Sequence, residues 1–270
     1  MAPQGHVNRL DARSAWERWC ESRDSAVRSG WGPLALTGTH WFDDALELDG
    51  LPGRWQVVDG SVTLTASAGD GLVVDDQPLD GTVRVHSDME AVGTSVTAGD
   101  ARLLLIDREG AFAVRVYDPN SPALQAFQGI EQFPFDERWV HEATFTPYDV
   151  DRVVRIPHVD GVERGYPIGG EIAFALDGGA VRLAVEVEPE TGQMQAVLSD
   201  ATSGVSTYRF RFLDLDTPDG DGRVVADLNR LRLPPCAFSD HFVCPFPPPS
   251  NQLELALEAG EKQPLGVAHH

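Results

Sequence analysis

Residues 171–188, with the sequence EIAFALDGGAVRLAVEVE, carry the clearest structural signal of the chain. Apolar and polar residues alternate on both sides of the Gly178-Gly179 pair, with the period of two that is typical of strands buried on one face. Glycine tolerates the positive φ angles of tight turns, so a Gly-Gly pair between two such runs favours a β-hairpin. The stretch therefore predicts two adjacent antiparallel strands.

Further alternating runs extend this pattern in both directions along the chain. Gly, Asp and Pro separate them about every 8 to 12 residues, the spacing expected of antiparallel sandwiches. The runs are SVTLTAS (61–67), TVRVH (82–86), ARLLLID (101–107), AFAVRVYD (111–118), WVHEATF (139–145), DRVVRIP (151–157), QMQAVLS (193–199), STYRFRFLDL (206–215), GRVVADL (222–228) and QLELALEA (252–259). We therefore predict a mainly β fold built from antiparallel sheets.

Residues 118–134, DPNSPALQAFQGIEQFP, interrupt this rhythm and mark a predicted domain boundary. On this basis residues 31–118 form a small antiparallel β-sandwich, and residues 119–270 form a larger antiparallel β-sheet or barrel. Residues 1–30 are predicted to contain one helix, over about residues 9–28. The residues that recur there at roughly helical spacing are Leu10, Trp16, Trp19, Cys20 and Val27.

The chain is strongly acidic, with a net charge of −21 and Lys262 as its one lysine. Phosphate groups are bound by basic surfaces, so this balance argues against partners such as nucleic acids and anionic membranes. A salt-rich cytoplasm and a genome that favours arginine over lysine would each explain the composition. The polar N-terminus, with no run of about 18 apolar residues anywhere in the chain, predicts a cytoplasmic protein without a transmembrane helix.

The segment 227–262, DLNRLRLPPCAFSDHFVCPFPPPSNQLELALEAGEK, has the composition of a candidate functional site. If the strand before it continues, Asp227 and Asn229 share one face and Arg230 points to the other. A carboxylate beside an amide can orient a ligand hydroxyl, an amine or a water molecule. The alternative is that Asp227 and Asn229 hold the following loop through hydrogen bonds to its backbone.

Cys236, His241 and Cys244 lie close together in the same segment. Four interpretations are open: a zinc site, a nucleophilic cysteine assisted by His241, a disulfide, and buried structural thiols. The C-x4-H-x2-C spacing is not a familiar zinc pattern and lacks a fourth ligand, so no metal is predicted, and the cofactor is left unknown. The odd number of cysteines, three in the chain, argues against a disulfide framework.

The stretch 199–214, SDATSGVSTYRFRFLD, adds Tyr208 and Arg211 to the candidate site residues. In a strand, Arg209 and Arg211 share a face. That face could meet an anionic ligand group, or it could pair with Asp214 and the acidic surface.

A family resemblance rests on residues of the same segment and of two stretches before it. The residues are Asp227, Asn229, Arg230, Pro234, Pro235, Cys236, Ala237, Phe238, Cys244, Pro245, Pro247, Pro248, Asn251, Leu253, Ala259, Gly260, Glu261 and Lys262. With F-x-G-I-E-x-F-P (127–134) and D-A-T-S-G-x-x-T-Y (200–208), they resemble the prokaryotic family catalogued as domain of unknown function 1684. The chain departs from the family pattern at Leu233, where Asn is usual, and at Leu231-Arg232. That family has no established activity, so the resemblance implies relatives and candidate site residues, Asn251 among them, and no reaction.

A second, weaker resemblance concerns the N-terminal half. The sequences GLVVDDQPL (71–79) and TAGDARL (97–103) are similar to the end of a forkhead-associated sandwich. The phosphothreonine-reading Arg and Ser-x-x-His pattern of such domains is not found, so the resemblance implies a sandwich fold rather than phosphopeptide binding.

These observations predict a protein that binds a small molecule in a pocket near the C-terminal motif. The candidate ligand-binding residues are Asp227, Asn229, Arg230, Cys236, His241, Cys244, Asn251, Tyr208 and Arg211. One alternative is a hydrolytic or thiol-dependent enzyme that uses Cys236 or Cys244 with His241. A second alternative is a protein-interaction module formed by the N-terminal sandwich.

Overall fold

In the computed structural model, which describes residues 9–267, the stretch 171–188 forms the predicted β-hairpin. The strands Glu163–Leu176 and Gly179–Val187 pair antiparallel, with Leu176 opposite Gly179. Asp177 and Gly178 form the turn with φ angles of 50° and 80°, in the left-handed region that glycine adopts readily. This hairpin is the centre of a six-stranded sheet.

The described residues divide into two units by their contacts. Unit one comprises residues 9–26, Phe127–Phe238 and Val243–Val267, and unit two comprises Val27–Ala126 and Ser239–Phe242. Ser239–Phe242 therefore belongs to unit two, although the chain on both sides of it belongs to unit one. The two units are antiparallel β structures with separate cores.

Unit two contains ten strands in two sheets. The strands are β1 (Leu36–Phe42), β2 (Ala45–Glu47), β3 (Arg54–Val58), β4 (Ser61–Ala66), β5 (Leu72–Val74), β6 (Gln77–Pro78), β7 (Gly81–Val85), β8 (Val96–Ala98), β9 (Ala101–Arg108) and β10 (Ala111–Tyr117), followed by the short helix Pro122–Ala126. One sheet has the order β1-β10-β9-β8-β5-β6, and the other has the order β2-β3-β4-β7. All of the strand pairs are antiparallel.

Side chains from both sheets of unit two form one apolar core. Trp55 and Leu64 come from the four-stranded sheet, and Leu103 and Val114 come from the six-stranded sheet. All four are completely buried. In the four-stranded sheet the neighbours Arg54, Gln56 and Thr65 are exposed, as expected of a sheet that packs with one face. This arrangement is the small antiparallel sandwich expected from the alternating runs.

Unit one contains the long helix α1 (Arg9–Val27) and eight strands. The strands are β11 (Gly129–Gln132), β12 (Val140–Pro157), β13 (Glu163–Leu176), β14 (Gly179–Val187), β15 (Met194–Leu198), β16 (Arg211–Leu215), β17 (Arg223–Asp227) and β18 (Glu261–Leu265). Six of them form the sheet β16-β15-β14-β13-β12-β17, and β11 pairs with β18. Phe212 in β16, at one edge, also pairs with Arg232, which follows β17 at the other edge. The sheet therefore curls into a half-barrel.

The core of unit one packs against one face of this sheet. Ile172 in β13, Leu183 in β14 and Leu213 in β16 are completely buried in it. β13 alternates buried and more exposed residues along its length, which is the period of two that its sequence predicts.

The predicted strand over residues 252–259 is wrong. The chain forms a 3₁₀ turn at Pro249–Asn251, and the next strand is β18. Gly260, just before β18, has a φ of +75°, and a Cβ atom there would lie 2.4 Å from the carbonyl oxygen of Leu231. The backbone at Gly260 packs closely against Leu231, which only glycine allows. Residues 252–259 are therefore held by this packing and not by pairing as a strand.

The predicted N-terminal helix is confirmed as α1, and one of its faces packs within unit one. Trp16 contacts the ring of Phe135 with 5.7 Å between centroids. Arg23, two turns later, forms an ion pair with Glu261. Among the described residues, none of the helices combines the length and the apolar character that crossing a membrane requires.

Candidate functional site

The segment after β17 does not continue as a strand. β17 ends at Asp227, and Leu228–Arg230 forms a turn of 3₁₀ helix. The expectation that Asp227 and Asn229 share a strand face is therefore wrong. The Asp227 carboxylate accepts hydrogen bonds from the Asn229 backbone N–H and side-chain amide, at 3.1 and 2.9 Å, and this local capping turns the chain.

Asn229 is 1% exposed and its amide is bound on both sides. The Oδ1 atom accepts from the backbone N–H of Asp136 at 3.0 Å, and the Nδ2 atom donates to the Asp136 carbonyl at 3.1 Å. The Asn229 carbonyl accepts from Nε1 of Trp16 in α1 at 3.1 Å. These contacts agree with the alternative interpretation, in which Asp227 and Asn229 fix an irregular loop.

Arg211, expected to share a face with Arg209, lies in the interior of unit one. It forms an ion pair with Asp200 at 2.7 Å, and neither side chain exposes any surface. The guanidinium also donates to the backbone carbonyls of Leu257 and Ala259. Burial lowers the pKa of Arg211, and the Asp200 carboxylate opposes that shift. The two arginines differ because β16 begins at Arg211, whereas Arg209 precedes the strand and is exposed.

Asn251 is completely buried and joins three segments of unit one. Its Oδ1 accepts from the backbone N–H of Ala184 at 2.8 Å. Its Nδ2 donates to the carbonyls of Ala184 and Val197, at 2.8 and 2.9 Å. Backbone groups of β14 and β15 therefore bind this amide, and its Oδ1 also accepts from the Ser250 hydroxyl at 3.1 Å.

Glu261 belongs to the same buried set, although it was not among the predicted site residues. Its carboxylate accepts from Arg23 at 2.8 and 3.0 Å and from the backbone N–H of Leu233 at 2.6 Å. The sequence signal is its place in the A-G-E-K motif, but its partner Arg23 is 238 residues away. Asn229, Arg211, Asn251 and Glu261 thus serve the architecture of unit one.

Cys236, Cys244 and Tyr208 all lie in unit one. The two cysteines are 1% and 6% exposed, and both are free thiols. The Tyr208 hydroxyl donates to the Cys236 carbonyl at 3.0 Å. Burial, with a smaller contribution from the Cys236 thiol, raises the pKa of Tyr208. The structure therefore brings Tyr208 and Cys236, two of the predicted residues, into contact.

His241 belongs to unit two, whereas both cysteines belong to unit one. Its carbonyl accepts from the Thr39 hydroxyl at 2.8 Å, and burial lowers the pKa of its imidazole. A thiol–imidazole pair with His241 stays a hypothesis. Among the described side chains, no group of three or more His, Cys, Asp and Glu residues has the arrangement of a metal site.

Asp227 and Arg230 line a cleft of about 720 Å³ in unit one, here called the acidic cleft. Its walls come from α1, β14, β15, β16, β17 and the turn after β17. The lining residues are Trp19, Glu186, Glu188, Gln193, Met194, Gln195, Asp214, Leu215, Asp216, Val225, Asp227 and Arg230. Five of them are carboxylates and one is a base. Its volume lies in the range of about 300–1,000 Å³ that is usual for small-molecule sites.

A row of polar side chains crosses three neighbouring strands at the floor of the acidic cleft. Gln195 in β15 lies opposite Glu186 in β14 on one side and Asp214 in β16 on the other. The Gln195 amide donates to Asp214 at 2.7 Å. Strands are about 4.8 Å apart, so the two carboxyl-bearing residues are separated by about 10 Å across the sheet. The row therefore offers acceptors at intervals along an extended ligand.

The carboxylates of the acidic cleft fall into two electrostatic classes. Asp227 is 3.2 Å from Nε of Arg230, and Asp214 accepts from Arg232 at 2.9 Å. Although burial raises the pKa of Asp214, the hydrogen bond and the charge of Arg232 outweigh it and lower the pKa. These two side chains already have cationic partners.

Glu186, Glu188 and Asp216 form the second class. Among the described side chains, none of these three has a basic partner within 4.0 Å. Burial and the nearby Glu188 charge raise the pKa of Glu186. The fold thus holds two neighbouring carboxylates at one place without neutralising them.

Glu186, Glu188 and Trp19 were not among the site residues predicted from the sequence. A signal exists, because the V-E-V-E run at 185–188 alternates through the end of β14 at Val187 and continues to Glu188. Val185 and Val187 pack in the core, so both glutamates point to the opposite face. The positions of β15, β16 and α1 against that face depend on the tertiary fold.

A second, smaller cavity of about 410 Å³ lies beside the proline-rich part of the motif in unit one. Its wall includes Phe246, Pro247 and Pro249. Arg209 also lines it and lies over the Phe246 ring, 5.4 Å from the centroid.

Comparisons with known proteins agree with the family resemblance. A family model described as a protein of unknown function (DUF1684) matches residues 125–262. The chain is also similar to an uncharacterized protein of Haloarcula marismortui, whose structure was solved by solution NMR. The two chains are 31% identical over 54% of this chain and 80% of that one, with a TM-score of 0.43. A search of curated proteins gave no match.

Proposed function

We propose that this chain, which belongs to the DUF1684 family of proteins of unknown function, binds a small organic cation in the acidic cleft. The observation that carries the proposal is the pair Glu186 and Glu188, which lacks a basic partner among the described side chains. A ligand that carries ammonium groups would supply that partner. Asp227 and Arg230, two of the predicted ligand-binding residues, belong to the same cleft.

The raised pKa of Glu186 gives an energetic reason for a cationic ligand. Burial and the charge of Glu188 disfavour its ionised form, so this carboxylate destabilises the folded chain at neutral pH. Groups held in unfavourable electrostatic surroundings are concentrated at functional sites. A bound cation would relieve the repulsion between the two glutamates, and that relief would contribute to its affinity.

The other walls of the acidic cleft fit an organic cation better than a simple ion. Trp19 adds an aromatic surface, and cations bind favourably over the face of a tryptophan ring. Gln193 and Gln195 add amide groups that can accept hydrogen bonds from ammonium groups. With a row of acceptors about 10 Å long, the cleft suits a linear molecule with two or more amines.

The test is isothermal titration calorimetry of the full chain with spermidine at low ionic strength, where electrostatic contacts are least screened. The variant Glu186→Gln/Glu188→Gln is expected to weaken binding by about tenfold or more, since each hydrogen bond to a charged group contributes about 1.5–3 kcal/mol. The control is Glu258→Gln, an exposed glutamate outside the cleft. It removes one negative charge and should leave the affinity within about twofold.

Two results would contradict the proposal. The first is equal spermidine affinity for the wild type and the double variant, which would assign binding to the general acidic surface. The second is heat from magnesium or calcium chloride with none from spermidine, which would point to an inorganic cation as the ligand.

A further inference from the structure

We propose that the cavity of about 410 Å³ beside the proline-rich segment, here called the arginine cavity, binds an organic carboxylate with a flat, apolar body. Arg155 and Arg209 hold the carboxylate, and the apolar walls hold the body. All of the lining residues belong to unit one. None of them lines the acidic cleft, and the ligand has the opposite charge from the one proposed there.

The lining of the arginine cavity is opposite in charge to the chain as a whole. Arg155 and Arg209 both line it, and within the described part of the chain no aspartate or glutamate does. The guanidinium group stays protonated in proteins, so the two arginines contribute two positive charges to one cavity. The chain has a net charge of −21, but charges more than about 8–10 Å away are largely screened at physiological salt. The local charge therefore favours an anion.

The rest of the lining is mostly apolar. Ile156 and Pro157 come from the end of β12, and Phe246, Pro247 and Pro249 come from the proline-rich segment. These five are the majority of the nine lining residues. Sites for small molecules typically combine apolar walls with a few polar groups that fix the orientation of the ligand. An inorganic anion would leave the apolar walls without contacts, whereas a flat organic anion covers them.

Arg209 is held in place by two aromatic side chains. Its guanidinium carbon lies 5.4 Å from the centroid of the Phe246 ring and 5.3 Å from that of the Tyr208 ring, both within the range of cation–π attraction. Its Nη2 atom also donates to the Tyr208 hydroxyl at 3.0 Å. A guanidinium can bind a carboxylate through two parallel hydrogen bonds. Because these contacts restrict Arg209 beforehand, it loses less conformational entropy when such a pair forms.

Backbone hydrogen bonds fix the proline-rich wall of the arginine cavity at both ends. The Phe246 N–H donates to the Pro157 carbonyl at 3.0 Å, and the Leu253 N–H donates to the Ser199 carbonyl at 2.8 Å. Between these two anchors lie residues 247–249, three prolines in a row, whose φ angles are fixed by their rings. The wall is therefore formed before a ligand arrives, and binding requires little ordering of the chain.

The test is a titration of the full chain with naphthoate, followed through the NMR signals of the ligand at physiological ionic strength. Arg209→Gln should weaken binding by about tenfold or more, because the hydrogen bonds to the charged carboxylate are lost. Arg155→Gln should weaken it several-fold. The matched control is Arg182→Gln, which removes a 64% exposed arginine of unit one that does not line the cavity. It should leave the affinity within about twofold.

Arg209→Lys separates the charge of Arg209 from its shape. The lysine ammonium keeps the positive charge but lacks the planar arrangement of donors that matches a carboxylate. We therefore expect this variant to recover only part of the affinity that Arg209→Gln loses. Full recovery would contradict the paired hydrogen bonds to the carboxylate.

Two further ligands test the two halves of the proposed molecule. Naphthamide, which has the same rings without the charge, should bind at least about tenfold more weakly than naphthoate. Inorganic phosphate, which has charge without an apolar body, should not displace naphthoate at equal concentration.

Several results would overturn the proposal. They are no measurable binding of naphthoate to the wild type, equal affinities for the wild type and Arg209→Gln, equal binding of naphthamide and naphthoate, and displacement by phosphate. Loss of naphthoate binding in Glu186→Gln/Glu188→Gln, with none in Arg209→Gln, would assign the ligand to the acidic cleft instead.

Discussion

The buried polar set of unit one and its acidic cleft use charged side chains in opposite ways. In the buried set, Arg211 and Asp200 neutralise each other without any exposed surface. In the cleft, Glu186 and Glu188 stand side by side, and no described base pairs with either of them. The first arrangement holds the fold together, and the second weakens it. Family motif residues therefore need not be ligand-binding residues, and the less obvious glutamates are the better candidates.

The largest expected effect comes from breaking the buried pair. Asp200→Asn keeps the shape of the side chain but leaves the Arg211 charge buried without a counter-charge. We expect a loss of about 3–5 kcal/mol in the free energy of unfolding, measured by urea denaturation. The control is Glu171→Gln, which removes a partner of Arg182, a side chain that is 64% exposed. It should cost less than about 1 kcal/mol, and equal losses would contradict the structural role of Asp200.

The next largest effect is expected at Asn251. Asn251→Ala removes three buried hydrogen bonds and leaves the groups of Ala184 and Val197 without their partner. The cost should be about 2–3 kcal/mol, again from urea denaturation. Glu254→Ala, an exposed position nearby, should change stability by less than about 0.5 kcal/mol. A neutral Asn251→Ala variant that lost spermidine binding would show that this amide contacts the ligand instead.

In the acidic cleft we expect a substitution to raise the free energy of unfolding, by a smaller amount than the losses described above. The raised pKa of Glu186 means that the folded chain holds its proton more tightly than the unfolded chain does. Stability is therefore lost as the pH rises from the ordinary value of 4.5 through the raised value. Glu186→Gln removes this loss and should stabilise the chain by about 0.5–1 kcal/mol near neutral pH. The gain should shrink as the pH falls towards about 4.

Urea denaturation of the wild type and Glu186→Gln at several pH values checks this prediction. A gain that does not depend on pH would mean that the substitution acts through packing or helix and strand propensity. A loss of stability would mean that Glu186 has a favourable partner in the folded chain.

Local sequence patterns predicted those parts of the fold that depend on local interactions. The hairpin at 171–188 follows from alternation and a Gly-Gly turn, both of which operate within one stretch. The strand predicted through Asn229 does not form, because Asp227 caps a turn there. Asp136, which binds the Asn229 amide, lies 93 residues away in the sequence. Alternation of apolar and polar residues within one stretch gives no information about a contact between residues so far apart in the sequence.

The candidate site shows the same limit. Asp227 and Arg230 were predicted as binding residues and lie in the acidic cleft. The row from Glu186 through Gln195 to Asp214 exists only because three strands pair in one register. No local pattern contains that register. Asn251 was predicted as a ligand-binding residue, but in the structure its amide binds backbone groups 54 and 67 residues away, contacts that no local pattern contains.

Cation binding by Glu186 and Glu188 is tested most directly by the urea midpoint of unfolding with and without spermidine, for the wild type and for Glu186→Gln/Glu188→Gln. Without ligand, we expect the double variant to be more stable than the wild type. Spermidine should raise the midpoint of the wild type and not that of the double variant, since only a binding-competent folded chain is stabilised by ligand. An equal spermidine-induced rise in both proteins, or a double variant less stable than the wild type, would contradict cation binding by this pair of glutamates.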